Sequence, residues 1–398
     1  MSGSAVRAEL KAGALVAVLT SAVFTLQADT PAQGRGSARI AGQSALTGAH
    51  LTIRAGSFFR GAERFEWRGI SAFRLVELVA RGREREAVAF LDWARARGLT
   101  VVRTLLMARH LFPLAPAEGL RALPRLLELA RQRELHVEVV ALADTAVVPA
   151  DFAAHVRSAG EIAGRYPNAI LELANEPGHR TQDRRLHDPA FLAQLARLVP
   201  DDVPVALGSA EYAAAFAEGD YATFHFPRAP GPDGWRHVVV LARGAKMRED
   251  WRKPVVNDEP IGAADVLATG RRDNDPRRFR AAAALTRLAG MGATFHHEGG
   301  LQARPPVRAE LVCFEAWSAG LRMLDGLPEG GRFLTGEALA AVADVRGARA
   351  VFAREFSHAV WLLALDPAAD AAVTWKAGWR GGEAAGGGDG VRLFRANR

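Results

Sequence analysis

The chain of 398 residues has a single cysteine, Cys313, so no disulfide can form within it. Its neighbours, Leu311-Val312-Cys313-Phe314-Glu315-Ala316-Trp317, read as a helix in which a lone cysteine is a small buried hydrophobe. Lysine is nearly absent: only Lys11, Lys246, Lys253 and Lys376 stand among 51 basic residues. The net charge of +7 and the pI near 10.2 therefore rest on arginine. The arginines are scattered and interleaved with acids, as in Arg81-Gly82-Arg83-Glu84-Arg85-Glu86, and no aromatic-plus-basic recognition motif accompanies them. A nucleic-acid partner is not expected. Nor is there an apolar run of the length that spans a bilayer, since the best candidate, Ala12 to Val23, is too short.

That short run has another reading. Arg7 and Lys11 precede it, and Leu26-Gln27-Ala28 and a Gly/Ser/Ala-rich stretch to about Gln43 follow it, which is the layout of a secretory signal with a small-residue cleavage site. Residues 1–45 are expected to be a leader outside the fold, and the mature chain to be secreted or held in the periplasm or cell envelope, without stable membrane insertion. An uncleaved anchor or a dispensable leader are the alternatives.

With 49% hydrophobic and 24% charged residues the remainder can bury a sizeable core. From residue 50 short strand-like runs alternate with longer helical patterns, which predicts βα units and a parallel sheet. Leu51 to Arg54 and Phe58 to Arg60 form a lead-in hairpin expected to plug a barrel from below. Eight strands follow: Phe65–Ala72, Leu99–Leu106, His136–Leu142, Ala169–Ala174, Val203–Leu207, Ala222–Phe226, Pro254–Asn257 and Ala293–His296. Eight units over about 250 residues is the size of a (β/α)8 barrel. The fold class is thus α/β, a TIM barrel over residues 46–330. A small β-rich appendage follows over 331–398, with Val351-Phe352, Ala359 to Leu363, Val373 to Trp375 and Val391 to Phe394 as strands and Gly381 to Gly390 as a loop.

Two segments point to chemistry. Leu173-Ala174-Asn175-Glu176-Pro177 and Val255-Val256-Asn257-Asp258-Glu259-Pro260 each put a glutamate where a buried strand ends at a proline. The C-terminal strand ends form the reactive face of such a barrel. At about 30 residues per βα unit, the interval from Glu176 to Glu259 spans three units, which sets the two carboxyls nearly across the mouth. A facing pair of carboxyls is what glycoside hydrolysis needs, one to move a proton and one to attack the sugar. Each alone could be a turn that caps the next helix, and Asp258 could replace Glu259 as the acid facing the mouth.

The chain resembles the clan of retaining glycoside hydrolases built on (β/α)8 barrels, above all family 5, the cellulases and mannanases. The residues that carry the resemblance are Arg103 in Val101-Val102-Arg103-Thr104, Asn175-Glu176, His225 in Thr223-Phe224-His225-Phe226, and Glu259; the opening Phe65-Glu66-Trp67-Arg68-Gly69-Ile70-Ser71 also resembles the family's first strand. The resemblance implies Glu176 as acid/base, with a raised pKa, and Glu259 as nucleophile. Arg103 would hold Glu259 ionised, and Asn175 would bond the sugar 2-hydroxyl. His225 is matched to the strand-six histidine, although its phenylalanine neighbours also suit a core position.

Two family features are missing. Phe226-Pro227-Arg228 stands where a tyrosine commonly bonds the nucleophile, and His296-His297-Glu298 replaces the usual strand-eight tryptophan. Substrate-binding candidates are therefore Arg103, Asn175, His225 and His296, with Trp235 or Phe112 as a substitute sugar platform; Arg74 and His179 are further strand-end candidates. No cofactor and no metal are implied. Adjacent strand residues point to opposite faces, so His296 and His297 cannot both face inward unless the strand has ended, and no His-x-His stands on strand one. The implied partner is an oligo- or polysaccharide and the reaction retaining cleavage of O-glycosidic bonds in a β-linked glycan. A non-catalytic glycan-binding barrel and a transglycosylase are the alternatives. Nothing in the pattern indicates an oligomeric state.

Overall fold

The computed structural model describes residues 48–208, 213–228, 231–262 and 273–398. The expected leader, and all but one residue of the link Ala210 to Ala213, lie outside them. Eight parallel strands form the central sheet: β1 (Arg68–Ser71), β2 (Val101–Leu105), β3 (His136–Leu142), β4 (Ala169–Ala174), β5 (Val205–Ala206), β6 (Ala222–Thr223), β7 (Val255–Asn257) and β8 (Gly292–Phe295). The hydrogen-bonded order runs β5-β4-β3-β2-β1-β8-β7-β6, which is the circular order of a (β/α)8 barrel with one seam.

The seam lies between β5 and β6, the two shortest strands, and Asp220 fastens it. The Asp220 amide donates to Val205 O at 2.7 Å, while the Val205 amide donates to Asp220 Oδ2 at 3.0 Å. A side chain thus completes a ladder that the backbone leaves open. The strands β3 and β4 have the bounds expected from sequence. Those of β5 and β6 are shorter than Val203–Leu207 and Ala222–Phe226, because one edge of each lacks a strand partner at the seam.

Helix starts follow the local chemistry. Asp188 accepts from Ala190 N at 2.9 Å ahead of Pro189, and Asp275 accepts from Arg277 N at 2.9 Å ahead of Pro276. In each case the cap satisfies an orphan amide and the proline occupies a position that needs none. The lead-in strands Thr52–Arg54 and Ser57–Arg60 pair antiparallel. They send Phe58 into a cluster with Trp67, Tyr221, Val101, Ile170, Ala206 and Val256. This aromatic layer plugs the N-terminal end of the barrel, each ring contributing about 2 kcal/mol by burial.

Beyond the helix Ala309–Arg322 a five-stranded antiparallel sheet forms, with a two-stranded ribbon, Ala343–Arg346 with Ala372–Trp375. The strand Ala359–Leu365 joins the layers through its two-residue period. Trp361, Leu363 and Leu365 belong to the main core, whereas Val360, Leu362 and Ala364 pack in a separate cluster with Val345 and Val373 of the ribbon. One sequence expectation is corrected here. Residues Arg380–Gly388 are an edge strand paired with Val391–Asn397, with register shifts, rather than a loop. Glycine is tolerated at the edge because close neighbours replace its missing side chain: a Cβ on Gly381 would lie 1.8 Å from the Trp375 indole nitrogen.

Candidate active site

The site begins with three charges inside apolar strands. Arg103 on β2, Glu138 on β3 and Glu172 on β4 are buried, and a buried charge requires partners. Arg103, 1% exposed, donates from Nε and Nη2 to Glu172 Oε2 and Oε1 at 2.8 and 3.1 Å. Its Nη1 reaches Glu259 Oε1 at 2.7 Å, its Nη2 reaches Asn175 Oδ1 at 3.0 Å, and Asp258 Oδ2 lies 3.2 Å from Nε. One guanidinium therefore ties the ends of β2, β4 and β7 together. With several acids around a single arginine, the floor retains protons. Burial pushes Glu172 up to about 7 despite Arg103, with Asp258 adding to the rise. Burial, together with Glu172 and Asp258, raises Glu138 well above the carboxylate range. Tyr221 Oη donates to Glu138 Oε1 at 2.8 Å.

Above this floor lie the two glutamates. Asn175 N donates to Leu142 O at 3.0 Å, and the chain then turns at Glu176, whose φ is +46°, a left-handed conformation rare for a residue with a side chain. Such local strain concentrates at functional sites. Gly208, at φ +85°, makes room for this turn, since a Cβ there would lie 2.0 Å from Ala174 O. Glu259 follows the last residue of β7 by two positions and is 5% exposed, against 22% for Glu176.

His225 separates mouth from floor. Its Nδ1 lies 3.1 Å from Glu176 Oε1 and 3.6 Å from Glu259 Oε2, and its Nε2 lies 3.3 Å from Asp258 Oδ2. The alternatives left open by sequence are thereby distinguished: His225 belongs to the site, and Asp258 sits behind it in the floor while Glu259 faces Glu176. Glu176, His225 and Glu259 each place one nitrogen or oxygen within 4.8 Å of the others.

Arg228 completes the group, donating from Nη1 to Glu259 Oε2 at 3.1 Å and approaching Glu176 Oε1 at 4.0 Å. It also donates to His296 Nε2 at 3.0 Å. His296 is pushed down to about 3 by burial, which outweighs the attraction of Glu259, so the ring is neutral. With Nε2 accepting, Nδ1–H donates to Ser71 Oγ at 2.8 Å, and Ser71 Oγ donates to the Asp258 carbonyl at 3.4 Å.

The electrostatics follow from this arrangement. Burial opposes ionisation of Glu259, yet the charges of His225, Arg103 and Arg228 together hold its carboxyl well below the usual range. Burial also opposes a charge on His225, but Glu259 and Asp258 raise it well above the usual imidazole value. For Glu176 the expected rise is not what the geometry gives. Burial and Glu259 push it up, but the His225 hydrogen bond and charge outweigh them, with Arg228 assisting, and the carboxyl is lowered.

Other expectations are also corrected. Trp235, 3% exposed, lies in the main core beside its helix and offers no sugar platform, and Phe112 is buried likewise. Large rings at these positions gain more from the core than from solvent-facing loops. Arg103 is too deep to touch a ligand and acts through Glu259 and Asn175. His296 is buried beneath Arg228, although it remains within the cluster. Arg74 is engaged by Glu77 and Gln302, and His179 is exposed beside Thr181. Sequence reasoning did not assign Arg228, Glu138, Glu172 or Ser71. A lone acid inside His136-Val137-Glu138-Val139 or Ile170-Leu171-Glu172-Leu173 was the available signal, since it demands a buried cation such as Arg103.

Glu172, His225 and Asp258 also lie within metal-ligand distances of one another. Arg103 Nε already stands 2.8 Å from Glu172 and 3.2 Å from Asp258, so a cation occupies that position and a metal does not fit.

The fold is one that the chain shares with solved glycoside hydrolase barrels, at low sequence identity. The chain superposes on a structure described as a glycoside hydrolase with a TM-score of 0.59, at 13% identity, covering 88% of this chain and 97% of the other. A family 5 glycoside hydrolase from Bacteroides vulgatus gives 0.55 at 12% identity, covering 79% of each chain. The beta-glucanase SdGluc5_26A from Saccharophagus degradans, in complex with cellotetraose, gives 0.52 at 13% identity, covering 69% of this chain and 94% of that one. No protein-family model and no curated sequence matches the chain.

Proposed function

We propose that the chain is a retaining glycoside hydrolase that cleaves a β-linked glycan by double displacement. The observation that carries this reading is the approach of Glu176 and Glu259, with an oxygen of each within 4.8 Å of the other. Retaining enzymes space their carboxyls by about 5–5.5 Å, and inverting ones by about 6.5–9.5 Å to admit a water. In the first step Glu259, held ionised by Arg103 and His225, attacks the anomeric carbon. The glycosidic C–O bond breaks as Glu176 gives its proton to the leaving oxygen. In the second step Glu176 takes a proton from water, the water oxygen bonds the anomeric carbon, and Glu259 is released as carboxylate.

Proton supply must reconcile Glu176's lowered pKa with its role as acid. His225 carries a proton at 3.1 Å from Glu176. Arg228, 31% exposed, is the cation of this group that a sugar entering the mouth can displace, and its withdrawal raises Glu176. Once Glu259 is esterified its charge is gone, a raising influence on Glu176 disappears, and the carboxyl is suited to act as base. Asn175, anchored by Arg103, is placed to meet the 2-hydroxyl.

The beta-glucanase neighbour with bound cellotetraose makes β-glucans the first substrates to try, beside mannans, xylans and aryl glycosides. Glu259→Gln is expected to abolish turnover. Glu176→Gln is expected to spare activated aryl glycosides more than poor leaving groups. Glycan binding that is unchanged in both variants, with no turnover by the parent chain on any substrate, would reject the proposal.

A further inference from the structure

The opposite end of the barrel carries an arrangement that the proposed chemistry does not use. Two adjoining clefts open where the lead-in strands, the barrel floor and the C-terminal sheet meet, and they share Gly56 and Arg354. The first, of about 270 Å³, is lined in part by Arg64, Arg287 and Arg354; the second by Arg248, Arg252, Arg332 and Arg354.

Arg248 and Arg354 are the unusual members. Arg354, 8% exposed, donates only to carbonyls, Gly330 O at 2.6 Å and Leu288 O at 3.1 Å. Arg248 does the same, to Gly56 O at 3.1 Å and Ala289 O at 3.5 Å, and its buried Nε has no hydrogen-bond partner. Among the described residues neither guanidinium meets a carboxylate. Both press on Gly290: a Cβ there would lie 2.2 Å from Arg248 Nη1 and 2.7 Å from Arg354 Nη1, so the like charges are neighbours. Burial lowers each to about 10, and Arg64 adds repulsion to both. Of the nearby acids, Glu66 and Asp325 pair with Arg68 and Arg287, while Glu249 lines the rim of the second cleft.

Buried charges of one sign persist where something opposite completes them. Guanidinium groups bond tetrahedral oxyanions through paired N–H donors, and a dianion matches two adjacent cations where a monocarboxylate leaves one unbalanced. We propose that this junction is a binding site for a dianionic oxyanion, a phosphate or sulfate group, held by Arg64, Arg248 and Arg354. The group is either the free ion or, for phosphate, a monoester on a sugar, since a sulfate ester carries a single charge. Arg64 is 39% exposed and, among the described residues, pairs only with Glu329 at 3.9 Å, and so is available to close over the ligand.

The test follows melting of the full chain against inorganic phosphate, sulfate and glucose 6-phosphate, with sodium chloride at matched ionic strength. Saturable stabilisation beyond chloride is expected. A response to the inorganic ions assigns the free oxyanion, and a response to the sugar phosphate alone assigns the ester. Arg64→Ser should weaken the apparent affinity about tenfold, the loss of one charged hydrogen bond, and Arg248→Met should abolish the response. If Arg248→Met does not fold, Arg64→Ser decides. Stabilisation no greater than that by chloride, or an Arg64→Ser response equal to the parent's, overturns the proposal.

Discussion

Replacing Arg103 by methionine keeps the stem and removes the charge that β2, β4 and β7 share. In the intact protein this guanidinium contacts Glu172 at 2.8 Å, Glu259 at 2.7 Å and Asp258 at 3.2 Å. Removing one member of a buried ion pair costs about 3–5 kcal/mol, because the other charge is stranded. At about 2 °C per kcal/mol this lowers Tm by roughly 6–10 °C near pH 7–8. The sign of the pH dependence follows from Glu259, whose folded pKa is depressed. Its contribution is present above the unfolded value, near 4.5, and is lost as pH falls through the folded value. Without Arg103 the Glu259 carboxyl rises instead and keeps a proton that the parent releases. Each extra proton retained adds about 1.4 kcal/mol of relative destabilisation per pH unit above the unfolded value. The deficit should therefore be about 1–2 kcal/mol at pH 5 and reach its full size at pH 7–8. Urea unfolding of both proteins across this range measures it. A deficit equal at pH 5 and pH 8 would mean that Arg103 serves packing rather than charge, and the account of the floor would fall.

Two further changes test the mouth and the seam. Arg228→Met removes one of the cations on Glu259, so the acid limb of kcat/KM should move up by about one pH unit, the equivalent of one charged hydrogen bond; an unmoved limb would show that Arg228 does not govern the nucleophile. Asp220→Ala opens the β5–β6 junction and strands the Val205 amide, costing about 1–3 kcal/mol in urea unfolding with kcat affected less than stability; a neutral change would mean that water replaces the carboxylate at no cost.

The sequence by itself determined the barrel and the two glutamates. Strand periodicity, proline stops and the spacing of βα units are local properties, written residue by residue, and β3 and β4 fall where those properties place them. The proposed catalytic pair was legible because Asn175-Glu176-Pro177 and Asp258-Glu259-Pro260 end apolar runs at a fixed separation. Tertiary structure alone decided which of Asp258 and Glu259 faces Glu176, because that depends on His225 standing between mouth and floor. It also decided that Arg228 crosses to Glu259, that Trp235 is core rather than platform, and that the Gly/Ala-rich segment Arg380–Gly388 pairs as an edge strand. The raised pKa expected of Glu176 failed for the same reason. A carboxyl's ionisation is set by the charges that other strands bring within a few ångströms, and the linear order of the chain does not contain those distances.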